Sequence, residues 1–148
     1  MVLDGVNPWL VIHVAGAVIS VGSVTVTDGF LALYHFRPGF GKILTRVDSL
    51  LSLMVWSGFL LLSLSGIPLV LGTPSAVMDP MFRLKMLLTG LVFLNGIALN
   101  LWVSPWFHQL SEEELYEPPY RFERLAATTA AVSVAGWWTI LLLAEFVL

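Results

Sequence analysis

The sequence predicts an all-α membrane protein, a four-transmembrane-helix bundle in which one domain covers residues 1–148. Composition is the first reason. Charged residues make up only 11% of the chain and hydrophobic residues 57%, whereas soluble domains carry about 25% charged residues. The second reason is length, because four segments have the roughly 20 apolar residues that a helix needs to cross a bilayer. We therefore expect a polytopic bundle whose helices run alternately up and down.

The four apolar segments are separated by sequences that contain glycine and proline, which favour loops. The segments cover residues 8–34, 48–71, 82–103 and 125–148, and each predicts one transmembrane helix. The first has no basic residue before it and is too long for the apolar part of a signal peptide, so we expect it to be retained. In the longest polar stretch, Ser111 and Glu114 have the spacing of a capping box and predict a short surface helix.

Composition also excludes several kinds of site and partner. The chain has no cysteine, which excludes disulfides and thiolate metal sites. It has no basic patch of the kind that binds nucleic acid, so no nucleic-acid partner is expected. The lipid bilayer is the expected environment. Four helices can cover few polar groups, and we therefore also expect a homo-oligomer or a larger membrane complex.

The basic residues predict an orientation in the membrane. The face that bears both chain termini, called here the terminal face, carries only Arg83 and Lys85. The opposite face, called the loop face, carries Arg37, Lys42, Arg46, Arg121 and Arg124. Cytoplasmic loops are enriched in basic residues. We therefore expect loops 36–47 and 104–124 to be cytoplasmic and both termini to lie outside, in a prokaryotic cytoplasmic membrane.

Ionisable residues inside the predicted helices are the main functional signal, because such groups are costly in a membrane and usually face the bundle interior or a cavity. In the first helix, His13, Asp28 and His35 fall within about 60° of one another at 100° per residue. Gly16 and Ser20 share that face. A stripe of small residues suits either a close helix partner or a flat ligand, and the sequence leaves both open.

The predicted topology sorts the ionisable residues into one group per leaflet. The group at the terminal face is His13, Lys85 and Glu145, and the group at the loop face is Asp28, His35, Asp48 and His108. The second group has the ligand types of a metal site, although no local spacing enforces one. Each residue also has a structural interpretation, such as a helix–helix hydrogen bond, an ion pair or a side chain that reaches the headgroups.

Two segments resemble a known family. They are "VIHVAGAVISVGSVTVTDGFLALYH" and "FRLKMLLTGLVFLNG", and they are similar to the four-helix membrane protoporphyrinogen oxidases of bacteria and, more loosely, to copper-resistance D-like membrane domains. In those families a histidine opens the first helix, an aromatic–histidine pair ends it, and a lysine opens the third helix. Here these residues are His13, Tyr34 with His35, and Lys85.

The resemblance implies a b-type haem whose iron is bound by His13. A haem needs an axial ligand, a flat apolar slot and cations near its propionates. The cofactor-binding candidates are therefore His13, Lys85, Arg83, Gly16 and Ser20. The catalytic candidates are Lys85, as a substrate partner, and Glu145, which can accept a proton from a bound substrate.

The sequence departs from the family at three points. The stretch "AGAVISVG" shortly after His13 contains no tryptophan, and no proline–arginine pair precedes the end of the first helix. Asparagines stand where the third helix of the family has a histidine. The leading hypothesis is a membrane haem- or porphyrin-binding protein of redox type, similar to protoporphyrinogen oxidase. The alternatives are a non-enzymatic subunit of a larger membrane complex and a permease for a metal ion or small solute that uses Asp28, His35, Asp48 and His108.

Overall fold

The structure, a computed structural model, describes residues 7–37, 40–110 and 119–144, and this part of the chain is helical. Its α-helices are α1 (Pro8–Phe36), α2 (Phe40–Gly72), α3 (Pro80–Ala98), α4 (Ser104–Gln109) and α5 (Tyr120–Ala144). A 3-10 helix (Pro74–Met78) connects α2 to α3, and a π-helical turn (Leu99–Val103) joins α3 to α4. Four stretches are long and apolar enough to cross a membrane: Pro8–Tyr34, Lys42–Gly72, Pro80–Gln109 and Tyr120–Ala144. The all-α fold with four helices of membrane-spanning length is confirmed.

Two of these helices begin with the same pair of signals, a side-chain cap followed by proline. The Asn7 side chain accepts a hydrogen bond from the Trp9 amide at 3.0 Å, and Pro8 is the first residue of α1. The Asp79 carboxylate accepts one from the Met81 amide at 2.7 Å before α3. Both arrangements satisfy amide groups that have no partner within the helix, and proline lacks the amide that would need one.

The predicted helix boundaries were too narrow at three places. The second helix begins at Phe40 instead of residue 48, and the fourth begins at Tyr120 instead of residue 125. The third continues through Pro105 to Gln109. Hydropathy marks the apolar part of a helix, whereas backbone hydrogen bonds continue into polar turns. The π-helical turn precedes Pro105, where an ordinary helix would lose a hydrogen bond. The predicted surface helix at Ser111–Glu114 lies outside the described residues.

The helices form an antiparallel bundle in which α1 packs most closely against α2, and α5 packs against both α1 and α3. Side chains close the remaining side between α2 and α3. The ring of Phe93 stacks on that of Phe59, with centroids 5.0 Å apart, and meets the edge of Trp56 at 5.7 Å. The order around the bundle is therefore α2, α1, α5 and α3.

The small residues of α1 bring its backbone against that of α2. A Cβ atom added to Gly16 would lie 2.8 Å from the Gly58 carbonyl oxygen, and one added to Gly58 would lie 2.7 Å from the Ser20 amide nitrogen. Ser20 is completely buried. Small residues allow such close packing between membrane helices, so the stripe on α1 is a helix-packing surface.

The buried side chains form two clusters at different levels of the bundle. The loop-face cluster is Tyr34, Leu44, Val103, Phe107, Phe122 and Ala126. The middle cluster is Val21, Val24, Val92, Trp137 and Ile140. Each cluster contains residues from α1, α5 and the third membrane span, so the two clusters hold the bundle together at two levels. The polar residues lie between and beyond these clusters.

Candidate functional site

His13 lies on α1 where the helix faces α2, close to the terminal face. Its Nδ1 atom is 3.1 Å from the Leu62 carbonyl oxygen and 3.1 Å from Ser65 Oγ. The Ser65 hydroxyl donates its own hydrogen to the Leu61 carbonyl, so its oxygen is an acceptor for the imidazole. The ring is thus fixed to α2 through one nitrogen.

This arrangement determines the tautomer of a neutral His13 ring. A carbonyl oxygen can only accept, so Nδ1 carries the hydrogen and donates it to Leu62. The lone pair of the neutral ring then lies on Nε2. A histidine that binds a metal through one nitrogen usually donates the other to a carbonyl or carboxylate, which fixes its orientation. His13 has this arrangement.

The predicted cationic partners of His13 have different environments. Lys85, on the first turns of α3, is partly buried and close enough to His13 to interact electrostatically. Arg83 is exposed, and its Nε donates to the Val77 carbonyl at 3.0 Å, so it braces the 3-10 helix. Glu145, the predicted catalytic carboxylate, lies outside the described residues. The structure therefore brings together His13 and Lys85 from the predicted terminal-face group.

Gly16 and Ser20 do not form a slot for a flat ligand in this structure. Their face of α1 is filled by the backbone of α2, including Gly58 and Leu62. A ligand lying on this stripe would have to displace α2. Of the two interpretations that the sequence left open for these small residues, the close helix partner is the correct one.

A second polar group lies at the loop face and joins α2 to α4. Asp48 Oδ2 accepts a hydrogen bond from Ser104 Oγ at 2.6 Å and one from His108 Nε2 at 3.1 Å. The His108 side chain is 42% exposed and that of Asp48 20%. Asp48 therefore connects the accessible imidazole with the interior of the bundle.

An interhelical cavity of about 110 Å³ extends from Asp48 into the bundle between the two buried clusters. It is enclosed by α1, α2, α5 and the third membrane span. Its polar wall residues are Thr27, Asp28, Asp48, Ser52, Asn100, Ser104 and Ser133. Ser52 Oγ donates to Asn100 Oδ1 at 3.0 Å, which links α2 to the π-helical turn along one wall. The cavity has room for several waters, since about 10–15 Å³ suffices for one.

Asp28 is the most deeply buried ionisable group of this cavity, with 7% of its surface exposed. Ser133 of α5 is the side chain that interacts with its carboxyl group. Its Oδ2 atom has no hydrogen-bond partner among the described residues. A buried carboxyl oxygen without a partner is costly, and this atom marks the position where the cavity can hold a water or a ligand.

The proposed metal site at the loop face is not present as a cluster. Within the described ranges no group of three or more histidine, aspartate or glutamate side chains is arranged to hold a metal ion. His108 meets Asp48 alone, and Asp28 lies elsewhere on the cavity wall. The His35 side chain lies outside the described residues.

An apolar layer separates the two polar groups. Along α1, Val21 and Val24 lie between His13 and Asp28, a separation of about 22 Å at 1.5 Å per residue. Val92 occupies the same layer on α3, and Trp137 and Ile140 occupy it on α5. His13 and Lys85 therefore lie on one side of this layer, and Asp28 and Asp48 lie on the other.

Sequence reasoning missed Ser104 and Ser133, which contact Asp48 and Asp28 respectively. A signal for Ser104 was present, because it lies four residues before His108 and thus on the same helix face. It falls, however, in the predicted loop 104–124, outside the predicted helices. Ser133 carries no comparable signal, since serines are frequent in helix interfaces of membrane proteins.

The hydrogen bonds at Asp48 predict a stability effect. Replacing Asp48 by asparagine removes the charge that accepts from Ser104 and His108, and we expect unfolding to become easier by about 1.5–3 kcal/mol. Equilibrium unfolding in mixed micelles measures this. Ser57→Ala is the control, because Ser57 is exposed and donates to the Met54 carbonyl of its own helix. Equal stabilities of Asp48→Asn and the control would contradict the prediction.

Comparisons with protein-family models, with curated proteins and with solved structures found no match to this chain. The residues and their geometry are therefore the basis for the function proposed below.

Proposed function

We propose that the chain is a membrane haem- or porphyrin-binding protein of redox type in which His13 is the axial ligand of a b-type haem. The observation that supports this is the fixed His13 ring. Its Nδ1 donates to the Leu62 carbonyl, which leaves the Nε2 lone pair for iron and increases the basicity of the ligand. Lys85 supports the same proposal, because its ammonium group near His13 can hold a propionate carboxylate.

Of the five residues that the sequence predicts to bind the haem, His13 and Lys85 are the two that fit this role. Gly16 and Ser20 are occupied by helix packing, and exposed Arg83 is engaged with the 3-10 helix. The iron would therefore bind Nε2, the nitrogen that is not bonded to α2. A haem held there would supply one-electron chemistry, with His13 as the residue that would bind its iron and Lys85 as the residue that would pair with a carboxylate.

The proposal also includes the orientation of the helices in the membrane. The excess of basic residues at the loop face favours cytoplasmic loops and an external terminal face. His13 and Lys85 would then lie in the outer half of a prokaryotic cytoplasmic membrane, away from the cytoplasmic surface.

An absorption spectrum tests the proposal. The protein is produced in cells supplied with a haem precursor, purified in mild detergent and measured oxidised and then dithionite-reduced. We expect a Soret band with sharpened bands on reduction, and we expect His13→Ala to lose them. His108→Ala is the matched control, since His108 belongs to the loop-face group and bonds Asp48.

Two outcomes would exclude haem ligation by His13. A colourless wild-type protein would remove the haem altogether and favour the non-enzymatic subunit. A His13→Ala variant with an unchanged spectrum would move the ligand elsewhere. Lys85→Gln separates the roles further, because loss of a propionate partner weakens haem retention while the band positions set by His13 stay the same.

A further inference from the structure

The cavity below the apolar layer has no role in the function proposed above. Its walls carry two carboxyl groups, Asp28 and Asp48, and none of the described residues that line it is a lysine, arginine or histidine. Charged groups inside a membrane bundle are usually paired or face a cavity that holds water or a ligand. An acidic cavity without cationic side chains favours a cation over an anion as its occupant.

The number of oxygen atoms around Asp28 favours a proton over a metal ion. Metal cations such as calcium take about six to eight oxygen ligands. At the Asp28 carboxyl, Ser133 is the interacting side chain and Oδ2 has no partner among the described residues. No cluster of three acidic or histidine side chains forms within the described part of the chain. A proton needs only the one free carboxyl oxygen.

Polar side chains line the cavity from the loop face inward. The accessible His108 side chain contacts Asp48, and Asp48 lines the cavity together with Ser104. Further inside, Asn100 and Ser52 supply hydrogen-bonding atoms on the wall. Water in a cavity is stable when it finds two to four polar partners, and these side chains provide them along the cavity wall.

The opposite end of the cavity is closed by the apolar layer. Val24, Val92 and Trp137 line the cavity and also belong to the middle cluster. Beyond Asp28 these three apolar side chains form the wall of the cavity, and α1 buries the hydroxyls of Ser23 and Ser20 between Asp28 and His13. Among the described residues, Asp28 is therefore the last carboxyl group that a proton entering from the loop face meets.

We propose that Asp28 is a reversible proton-binding site that exchanges with the loop face through water in this cavity. On uptake, a hydronium ion in the cavity gives its proton to Oδ2 of the Asp28 carboxylate and becomes water, and release is the reverse. No electron moves, and no haem is needed. Among the described residues, the other titratable groups facing the cavity are Asp48 of α2 and, behind it, His108 of α4, whereas α5 contributes the Ser133 hydroxyl.

Infrared spectroscopy of the full chain in lipid nanodiscs tests the site. The carbonyl band of a protonated carboxylic acid is followed through a pH titration and after transfer to D₂O. We expect a band that disappears reversibly as pH rises, shifts on deuteration and is missing in Asp28→Asn. Asp48→Asn should retain it, because the band belongs to the buried carboxyl group.

A pair of glycine substitutions on α3 tests the route. Gly96 lines the cavity and Gly90 lies on the outer surface, and an added Cβ would meet nothing within 4 Å at either position. Gly96→Leu should fill part of the cavity and slow deuteration of the Asp28 band by about tenfold, as for a barrier raised by about 1.4 kcal/mol. Gly90→Leu makes the same change outside the cavity and should leave the rate unchanged.

Four results would overturn the proposal. A band that neither titrates nor exchanges would make Asp28 a dry structural residue, and no Asp28 band at any pH would mean a permanently ionised group. A band that disappears when sodium replaces choline at constant pH would make the cavity a sodium site. Equal rates in the Gly96→Leu and Gly90→Leu variants would exclude the cavity as the route. None of these results depends on whether haem is bound.

Discussion

Gly58→Leu is expected to unfold most of the protein, with a loss of about 3 kcal/mol or more in the free energy of unfolding, because a new side chain here meets backbone atoms. The first carbon alone would lie 2.7 Å from the Ser20 amide nitrogen and 2.8 Å from the Gly16 carbonyl oxygen. Backbone cannot move aside as a flexible side chain can. α1 and α2 would have to separate along their closest contact.

Equilibrium unfolding in mixed micelles, followed by circular dichroism, measures this loss. Gly22→Leu is the matched control, since Gly22 lies on α1 and an added Cβ meets nothing within 4 Å. Its effect should be neutral or stabilising by up to about 1 kcal/mol, because leucine favours a helix more than glycine does. A Gly58→Leu protein as stable as Gly22→Leu would mean that the two helices do not pack as described.

The same substitution connects the fold to the proposed haem ligand. His13 is held by Leu62 and Ser65, which lie one and two turns beyond Gly58 on α2. If α2 moves away from α1, Nδ1 loses its acceptors and the ring its fixed orientation. A chromophore bound by His13 should therefore weaken in Gly58→Leu even in the fraction of molecules that stays folded.

The fold could be predicted from the sequence because membrane helices have a strong one-dimensional signal. Each apolar segment is long enough to be recognised by itself, and in lipid a helix satisfies its own backbone. Helix ends were less accurate, because the polar turns from Phe40 to Asp48 and from Ser104 to Gln109 stay helical outside the apolar stretch.

The site could be predicted only as far as helix periodicity and topology reach. They predict that His13 lies near Lys85 at the terminal face and that Asp28 lies near Asp48 at the loop face. They could not decide whether the Gly16–Ser20 stripe meets a ligand or a helix, because small residues serve both purposes. They also could not predict the cavity, since its volume depends on how far Phe93 and Trp56 hold α3 from α2.

Phe122→Ala is expected to be the second most damaging of these changes, with a loss of about 3 kcal/mol in the free energy of unfolding. This is the lower end of the range for buried aromatic residues, because in a membrane the side chain is transferred from lipid and not from water. Phe122 is fully buried, stacks on Phe107 at 5.7 Å and meets the edge of Trp106 at 5.2 Å. Tyr120→Ala is the control. Tyr120 is exposed and contacts Arg124 through its ring face, an interaction of about 0.5–1 kcal/mol.

The location of the Phe122→Ala damage is as informative as its size. Phe122 packs against α4, the helix whose Ser104 and His108 hold Asp48. Hydrogen exchange should therefore accelerate first in the amides of α4 and the start of α5, while the α1–α2 contact around Gly16 keeps its protection, because separate clusters open separately. Uniform acceleration along the whole chain would mean that the two buried clusters form one cooperative unit, and opening of the cavity mouth would then cost as much as unfolding the bundle.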